Sequence, residues 1–277
     1  MPLPPEFKFT QSNLQDYVEC ARRFELRYVQ ALEWPAIEAE PVKERERHMQ
    51  QGADFHHLVH QHLIGVPAEK LEALAADEPL RRWWAGYVRH GLTGLPEGPR
   101  YPEMALTAPL NGFRLLAKYD LIAAEPGGRI VIMDWKTAER RPARTRLAAR
   151  LQTIVYPYLL VLAGAHLNGG TPVKPEQVEM VYWFAEDPAN PERFPYSAEQ
   201  YARDGEHLAA LVDEIKARAQ FDLTADEWRC KYCTYRSLCR RGVEAGDLSE
   251  LDADFADAGD EAPDLDFDFD QIAEIAF

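Results

Sequence analysis

The sequence has few cysteines, no long apolar run and no segment that resembles an export signal. Only four of its 277 residues are cysteine, and the opening residues MPLPPEFKFT contain neither a basic cluster nor an apolar stretch. We therefore expect a reducing, cytoplasmic compartment, in which stable disulfides are rare. No apolar run approaches the ~20 residues that a membrane-spanning helix needs, which predicts a soluble protein.

Basic residues are missing from the end of the chain. Residues 242–277 contain thirteen Asp and Glu and no Lys or Arg, and the whole chain has a net charge of −15. Without this stretch, 31 basic residues face 33 acidic ones, a net charge of −2. The sequence thus predicts a nearly neutral folded domain over residues 1–242, with room for a local basic groove, and a separate acidic tail over 243–277.

The tail has three interpretations. Its composition favours a solvated, disordered extension that aids solubility. Its last stretch, DLDFDFDQIAEIAF, interleaves apolar and acidic residues, a pattern that also suits docking to a protein partner. As a polyanion, it could alternatively fold back over a basic DNA groove and compete with substrate.

The four cysteines are unevenly spaced. Cys20 stands alone, and Cys230, Cys233 and Cys239 follow more than two hundred residues later. Four thiolates suffice for a tetrahedral zinc or a 4Fe-4S cluster, and either would tie distant parts of the chain together. Structural zinc sites usually use two close ligand pairs, and only one such pair exists here, which favours the cluster. A chance group of buried free thiols is the remaining alternative.

Hydrophobic periodicity predicts a mixed α/β domain. Helices are expected from a cap at Ser12 or Asn13 through Cys20 to Tyr28, and then at about 44–64, around Trp83, Trp84 and Tyr87, and at 144–163 and 197–219. Strands are expected at 103–109, 113–123, 129–134 and 177–184. Turn signals at Asn111-Gly112 and at residues 126–128 separate the first three, which predicts a β-meander.

Two carboxylates and a lysine share the end of this meander. Asp120 lies in its second strand, Asp134 ends the third, and Lys136 points to the same face as Asp134. Hydrolysis of a phosphodiester requires a divalent cation that offsets phosphate charge and lowers the pKa of a water, and carboxylates suit Mg²⁺ or Mn²⁺. Lys136 would orient the water or stabilise the developing negative charge. Taken alone, this short pattern more often indicates an exposed ion pair.

Five segments, in this order, resemble the RecB-like branch of the PD-(D/E)XK nuclease superfamily: FTQSNLQDYVECARRFELRYV, GADFHHLVHQHL, LLAKYDLIAAEPGGRIVIMDWKTA, LQTIVYPYLL and CKYCTYRSLC. The resemblance spans about residues 9–241 and is closest to the iron-sulfur members, which include the AddB nuclease domain and the CRISPR-associated RecB-family exonucleases. It implies an α/β restriction-endonuclease-like core, a central mixed sheet flanked by helices, with N-terminal helices and a C-terminal cysteine segment. It also implies that the four cysteines hold a 4Fe-4S cluster.

The resemblance assigns roles within the site. Asp120, Asp134 and the backbone carbonyl of Trp135 would bind Mg²⁺ or Mn²⁺, and Lys136 would be the catalytic lysine. The implied activity is metal-dependent hydrolysis of DNA, by an exonuclease that acts on single strands or duplex ends, in repair, recombination or CRISPR-type processing. Two alternatives stay open: a catalytically silent DNA-binding subunit with an architectural cluster, and an adaptor that recruits a partner through its tail.

A histidine would complete the metal shell. The family histidine follows a glycine by four residues, and Gly52 selects His56 over its neighbour His57. Helical periodicity agrees, because it places His56 at the edge of an apolar stripe and His57 nearly opposite. Without the glycine spacing, a single helical histidine is more often structural.

Three further positions resemble family elements. Gln152 and Tyr156, four residues apart on one helix face, match a Q-x3-Y element that borders the active site, although a partly buried amphipathic face would also suit them. Glu103 is a secondary acidic candidate that orders the site. Ala117 departs from the family, which often has glycine three residues before the strand aspartate.

Overall fold

The computed structural model describes residues 3–32 and 40–246, with the backbone alone for 40–46. The predicted acidic tail lies outside the described residues from position 247 onward. Among the helices of the described ranges, none has both the length and the apolar character that crossing a membrane requires.

A six-stranded mixed sheet lies at the centre. Its strands are β1 Lys8–Phe9, β2 Arg100–Leu110, β3 Phe113–Ala124, β4 Ile130–Lys136, β5 Val178–Phe184 and β6 Glu192–Pro195. Strands β2, β3 and β4 form an antiparallel meander, β5 runs parallel to β4, and β6 is antiparallel to β5. Strand β2 pairs along the whole of β3, so β1 and β4 share its other edge. The predicted meander is confirmed.

The meander follows from its turn and burial patterns. Leu110 pairs with Phe113, so the hairpin loop consists of Asn111 and Gly112, which both have positive φ, 46° and 87°. Asn-Gly is the preferred sequence for such a two-residue turn, because both residues tolerate the left-handed conformation. Every residue of β4 is buried, as expected of a strand that is covered on both faces.

Helices cover the sheet on both sides. Their bounds in the described ranges are α1 Gln11–Glu19, α2 Ala21–Phe24, α3 Glu40–Leu63, α4 Ala68–Glu72, α5 Glu78–Gly86, α6 Arg144–Ala149, α7 Leu151–Ala163, α8 Ala198–Ala217, α9 Glu227–Lys231 and α10 Arg236–Cys239. Wider π-type turns extend α2 to Val29 and α5 to Gly91. Helices α1, α7 and α8 build one core, and α3 and α5 build a second, aromatic core in which Phe55 stacks on Trp183 with ring centroids 5.9 Å apart.

Two predicted helices are interrupted. The first begins at a capping box of Thr10 and Asn13, which exchange side-chain and backbone hydrogen bonds, and not at the predicted caps. It ends at Glu19, and Cys20 is extended, with φ −160° and ψ 103°. The prediction that Cys20 lies within a helix is therefore wrong, because the apolar periodicity continues across the break into α2. The helix predicted over 144–163 is likewise divided at Arg150, which has ψ 142°.

Candidate active site

Strands β3 and β4 separate at the two acidic residues. Their ladder extends from the pair Ala124–Ile130 to the pair Leu121–Met133 and ends there. Asp120 on β3 and Asp134 on β4 follow directly, at the mouth of the opening. The Trp135 amide on β4 donates a hydrogen bond to Asp120 Oδ2 at 3.0 Å. The Asp120 side chain thus accepts a hydrogen bond from β4 beyond the point where the backbone ladder ends. Both carboxylates thus lie where the sheet opens.

The pleat of β3 is irregular at Asp120. Tyr119 and Ile122 both face the first core, although strict alternation would place residues three apart on opposite faces. Across the ladder, Glu103 lies between the residues that pair with Tyr119 and Leu121, and its φ is +54°. Such local distortions redirect a side chain and concentrate near functional sites. This one directs Asp120 to the opening.

Asp134 and Lys136 lie on the α7 face of the sheet. Gln152 Nε2 donates a hydrogen bond to Asp134 Oδ1 at 2.7 Å, and Lys136 Nζ lies 3.2 Å from Asp134 Oδ2. The three residues are buried, with Asp134 only 4% exposed. An exposed ion pair at a strand end, the alternative that the short motif left open, is therefore wrong.

His56 reaches the site from the opposite face, on α3. Its Nδ1 atom lies 3.6 Å from Asp120 Oδ2, whereas His57 is exposed, as predicted. The structure gives a reason for the glycine four residues before His56. A Cβ atom at residue 52 would lie 2.9 Å from Thr137 Oγ1, closer than real Cβ contacts. The helix can approach the end of β4 this closely because residue 52 has no side chain.

The charges of the site are strongly coupled. Burial lowers the pKa of His56, but the Asp120 carboxylate outweighs burial and raises it to about 9. Burial would raise the pKa of Asp120, yet the charge of His56 and the Trp135 amide hold it below its usual value. Burial, together with the Asp120 charge, raises the pKa of Asp134 to about 6, although Lys136 opposes this. Despite Lys136, the site therefore disfavours the charged form of Asp134.

These residues fit a hard divalent cation. Asp134 Oδ2 is buried, and its one close polar neighbour among the described residues is the Lys136 ammonium at 3.2 Å. A second carboxylate and an imidazole lie beside the pair. Oxygen donors with one imidazole suit Mg²⁺ or Mn²⁺. Within the described ranges, no three His, Cys, Asp or Glu side chains already form a group that could hold a metal ion. The Asp120, Asp134 and His56 side chains therefore lie near one another, but they would have to move closer together to bind a cation.

The remaining predicted residues lie further from the carboxylates or at the rim. Tyr156 is one turn beyond Gln152, buried in the first core, where its ring centroid lies 4.7 Å from that of Tyr119. Glu103 forms an ion pair with Lys118 on β3. Ala117 is fully buried in the first core, where a methyl group is accommodated.

Two residues beside Lys136 were not predicted. Tyr182 pairs with Asp134 in the β4–β5 ladder, and Lys136 Nζ lies 5.9 Å above its ring. The Tyr182 hydroxyl lies 2.7 Å from Thr153 Oγ1 on α7. Burial, and then the Asp134 charge, raises the Tyr182 pKa well above its usual value, so it remains a neutral phenol. The signal in the sequence was weak: a polar hydroxyl within an apolar strand, and a threonine next to Gln152.

The four cysteines line one pocket of about 430 Å³, part of it open to solvent. The other residues that line it are Arg23, Leu223, Thr224, Arg229, Tyr235, Arg236 and Arg241. The four thiols are free, and burial raises the pKa of Cys233 and Cys239, with a further contribution from neighbouring thiols. Arg241 Nη1 lies 3.8 Å from Cys230 Sγ. Four sulfur donors with guanidinium groups nearby have the chemistry of a zinc or iron-sulfur site. As they stand, however, the thiols of the described ranges do not form a group that could hold a metal ion.

Comparison with known proteins places the fold in a family. A candidate exonuclease from Eubacterium rectale has a similar structure, with 8% identity, 87% of this chain and 91% of that chain covered, and a TM-score of 0.50. SSO0001 has 13% identity, covers 85% of this chain and 87% of that one, and reaches a TM-score of 0.39. No curated protein matches the sequence significantly. The sequence model of the PD-(D/E)XK nuclease superfamily matches residues 8–240, so the chain belongs to that superfamily.

Proposed function

We propose that this protein is a deoxyribonuclease that depends on Mg²⁺ or Mn²⁺. The observation that carries the proposal is the group of Asp120, Asp134 and Lys136 where β3 and β4 separate, in which Asp134 and Lys136 are buried and Asp120 is partly buried. Burying a carboxylate such as Asp134 is costly, and for that reason such groups are concentrated at functional sites. Membership of the nuclease superfamily supplies the reaction class, phosphodiester hydrolysis.

Each residue has a role in this proposal. Asp120, Asp134, His56 and the Trp135 carbonyl would hold the cation. When bound, a divalent cation offsets negative charge on the phosphate and lowers the pKa of an attacking water. Lys136, whose ammonium lies 3.2 Å from Asp134, stabilises negative charge that develops on the phosphate.

Two residues of α7 support this arrangement. Gln152 keeps Asp134 Oδ1 occupied, so Oδ2, beside Lys136 Nζ, is the oxygen that would bind the cation. Tyr156, one turn later, fixes the packing of α7 against β3 through its contact with Tyr119. Glu103 orders the strand opposite Asp120.

DNA is the proposed substrate, as a single strand or a duplex end. Residues 139–150, which follow Lys136 closely, contain five arginines. Arg140 and Arg146 in this segment are exposed. Guanidinium groups beside the site would contact the phosphate backbone, which supplies most of the sequence-independent affinity of DNA-binding proteins. Exonuclease action is proposed from the RecB-like resemblance, and the candidate exonuclease from Eubacterium rectale shares the fold.

We propose a 4Fe-4S cluster on Cys20, Cys230, Cys233 and Cys239, which would place the protein in the iron-sulfur branch. The pocket that all four line supports this, as does the presence of one close cysteine pair instead of two. Protein purified without oxygen is expected to contain about four iron and four sulfide per chain. Stoichiometric zinc without sulfide would reject the cluster.

The division into a nuclease domain, residues 1–242, and a regulatory or docking tail, residues 243–277, belongs to the same proposal. The tail could recruit a protein partner or occupy the DNA groove. The cytoplasmic location stays a prediction from the sequence.

A cleavage assay tests the proposal. Purified protein is incubated with end-labelled single-stranded and duplex DNA, with Mg²⁺, Mn²⁺ or EDTA. We expect cleavage that requires the cation and is lost in Asp134→Asn. The matched control is Asp54→Asn, an exposed carboxylate on α3. If Asp134→Asn retains wild-type cleavage, or if EDTA has no effect, the proposal is wrong.

A further inference from the structure

The N-terminus of α7 is capped from another helix. Arg150, the N-cap residue, makes no side-chain capping hydrogen bond. Instead, the Leu151 amide donates to Gln15 Oε1 on α1 at 3.1 Å. First-turn amides of a helix have no partner within it, so this bond supplies a missing cap. The next residue is Gln152, which holds Asp134. Gln15 therefore anchors the helix turn that reaches the catalytic carboxylate.

The orientation of the Gln15 amide is imposed by its neighbour Glu19. Gln15 Nε2 donates to Glu19 Oε1 at 3.0 Å, and the Glu19 side chain is only 11% exposed. Burial opposes ionisation of Glu19, but the charges of Arg23 and then Arg229 hold its pKa below the usual value. A carboxylate only accepts hydrogen bonds, so the Gln15 nitrogen must face Glu19 and its oxygen must face α7.

This arrangement extends to the cysteine pocket. Glu19 Oε2 lies 2.5 Å from Arg23 Nη2 and 3.0 Å from Arg229 Nη1. Both arginines line the pocket that the cysteines share. Arg229 belongs to the C-terminal cysteine segment and Glu19 to α1, so this ion pair joins the two ends of the fold. Gln15 lies between that ion pair and the N-terminus of α7.

We propose that Gln15 is a positioning residue of the nuclease site: it holds the first turn of α7, and with it Gln152, against Asp134. The inference rests on the proposed catalytic role of Asp134. Without the cap, the first turn loosens and Gln152 releases Asp134 Oδ1. The carboxylate can then rotate about its side chain, and Oδ2 is no longer held in one position for a cation.

Hydrogen exchange tests the anchoring step without reference to activity. Gln15→Leu keeps the approximate volume and removes the cap. Gln177→Leu is the matched control, because Gln177 also bridges backbone groups with its side-chain amide, at the far side of the fold. We expect the amides of 151–154 to exchange about tenfold faster in Gln15→Leu and at the wild-type rate in Gln177→Leu. Unchanged exchange at 151–154 in Gln15→Leu would overturn the proposal.

Metal binding and cleavage test the link to Gln152. We expect Gln15→Leu to weaken Mg²⁺ or Mn²⁺ binding in calorimetry and to lower kcat about tenfold with little change in KM for DNA. In a Gln152→Leu background, Gln15→Leu should add almost nothing. An equal additional loss in that background would show that Gln15 acts by another route. If the wild-type protein binds the cation but does not cleave DNA, the proposed function fails, and exchange and calorimetry still decide the role of Gln15.

Discussion

Helix α3 approaches the end of β4 closely. We therefore expect Gly52→Ala to destabilise the wild-type protein but to stabilise a Thr137→Ala variant. In Gly52→Ala, the added methyl group would lie 2.9 Å from Thr137 Oγ1. Thr137 is 2% exposed and β-branched, so its side chain has little freedom to move aside. The helix must therefore shift, and His56, one turn later, shifts with it away from Asp120.

Two opposing terms set the magnitude. Overpacking a buried contact costs about 1–3 kcal/mol. Replacing glycine by alanine inside a helix contributes about 1 kcal/mol of stability. Gly52→Ala is therefore expected to destabilise the protein by up to about 2 kcal/mol. In a Thr137→Ala background, which removes Oγ1, the same change is expected to stabilise it by up to about 1 kcal/mol. The difference between the two backgrounds is the overpacking cost.

Urea unfolding of the wild-type protein, Gly52→Ala, Thr137→Ala and the double variant measures that difference. Calorimetric titration with Mg²⁺ or Mn²⁺ then reports on His56: binding is expected to weaken in Gly52→Ala and to recover in the double variant relative to Thr137→Ala. Equal stabilisation of both backgrounds by Gly52→Ala would show that no steric contact exists between residue 52 and Thr137.

Four further changes have distinct expected outcomes. Lys136→Ala should lower single-turnover cleavage about 10²–10³-fold while DNA binding persists, as gel-shift and cleavage assays would show. In metal-free protein, the pKa of Asp134 is raised to about 6, so the folded state holds the Asp134 proton more tightly than the unfolded state does. The stability that this protonation contributes is present below about pH 4 and is lost as pH rises through 6. The unfolding free energy of Asp134→Asn relative to wild type should therefore increase by roughly 1–3 kcal/mol from pH 4 to 6.5, and a constant difference would contradict this. If the proposed cluster is present, Cys20→Ser should lose iron and sulfide and melt at a lower temperature. Deletion of residues 243–277 should increase DNA affinity at low salt, with a gain that shrinks as salt rises.

Much of the sheet was predictable because its signals are local. Asn111-Gly112 marked a two-residue hairpin, and alternation placed Asp134 and Lys136 on one face. The two-residue strand β1 and the four-residue strand β6 carry too little periodicity to be found. Cys20 was misplaced for the opposite reason: apolar spacing continues across a backbone break that depends on tertiary packing.

The site was predictable as a set of residues but not as a geometry. The carboxylates, the lysine and Gln152 could be named because each belongs to a short motif. The irregular pleat at Asp120 could not, because it depends on the left-handed conformation of Glu103 on a neighbouring strand. The contact between Gln15 and Leu151 joins residues 136 positions apart, and no local pattern indicates it.

The candidate site takes side chains from helices on both faces of the sheet. Its geometry therefore depends on the ion pair between Glu19 and Arg229, which joins distant parts of the chain. His56 comes from the helix layer on one side, and Gln152 from the layer on the other. Loosening either layer would separate His56 or Gln152 from the two carboxylates, even while the strands stay paired. A metal centre that joins Cys20 to Cys230 would close a loop of about 210 residues, for which cross-link entropy corresponds to about 5 kcal/mol. Because α1 lies directly before Cys20 and packs against α7, that restraint acts on the layer that carries Gln152, which is why we expect metal loss to reach the active site.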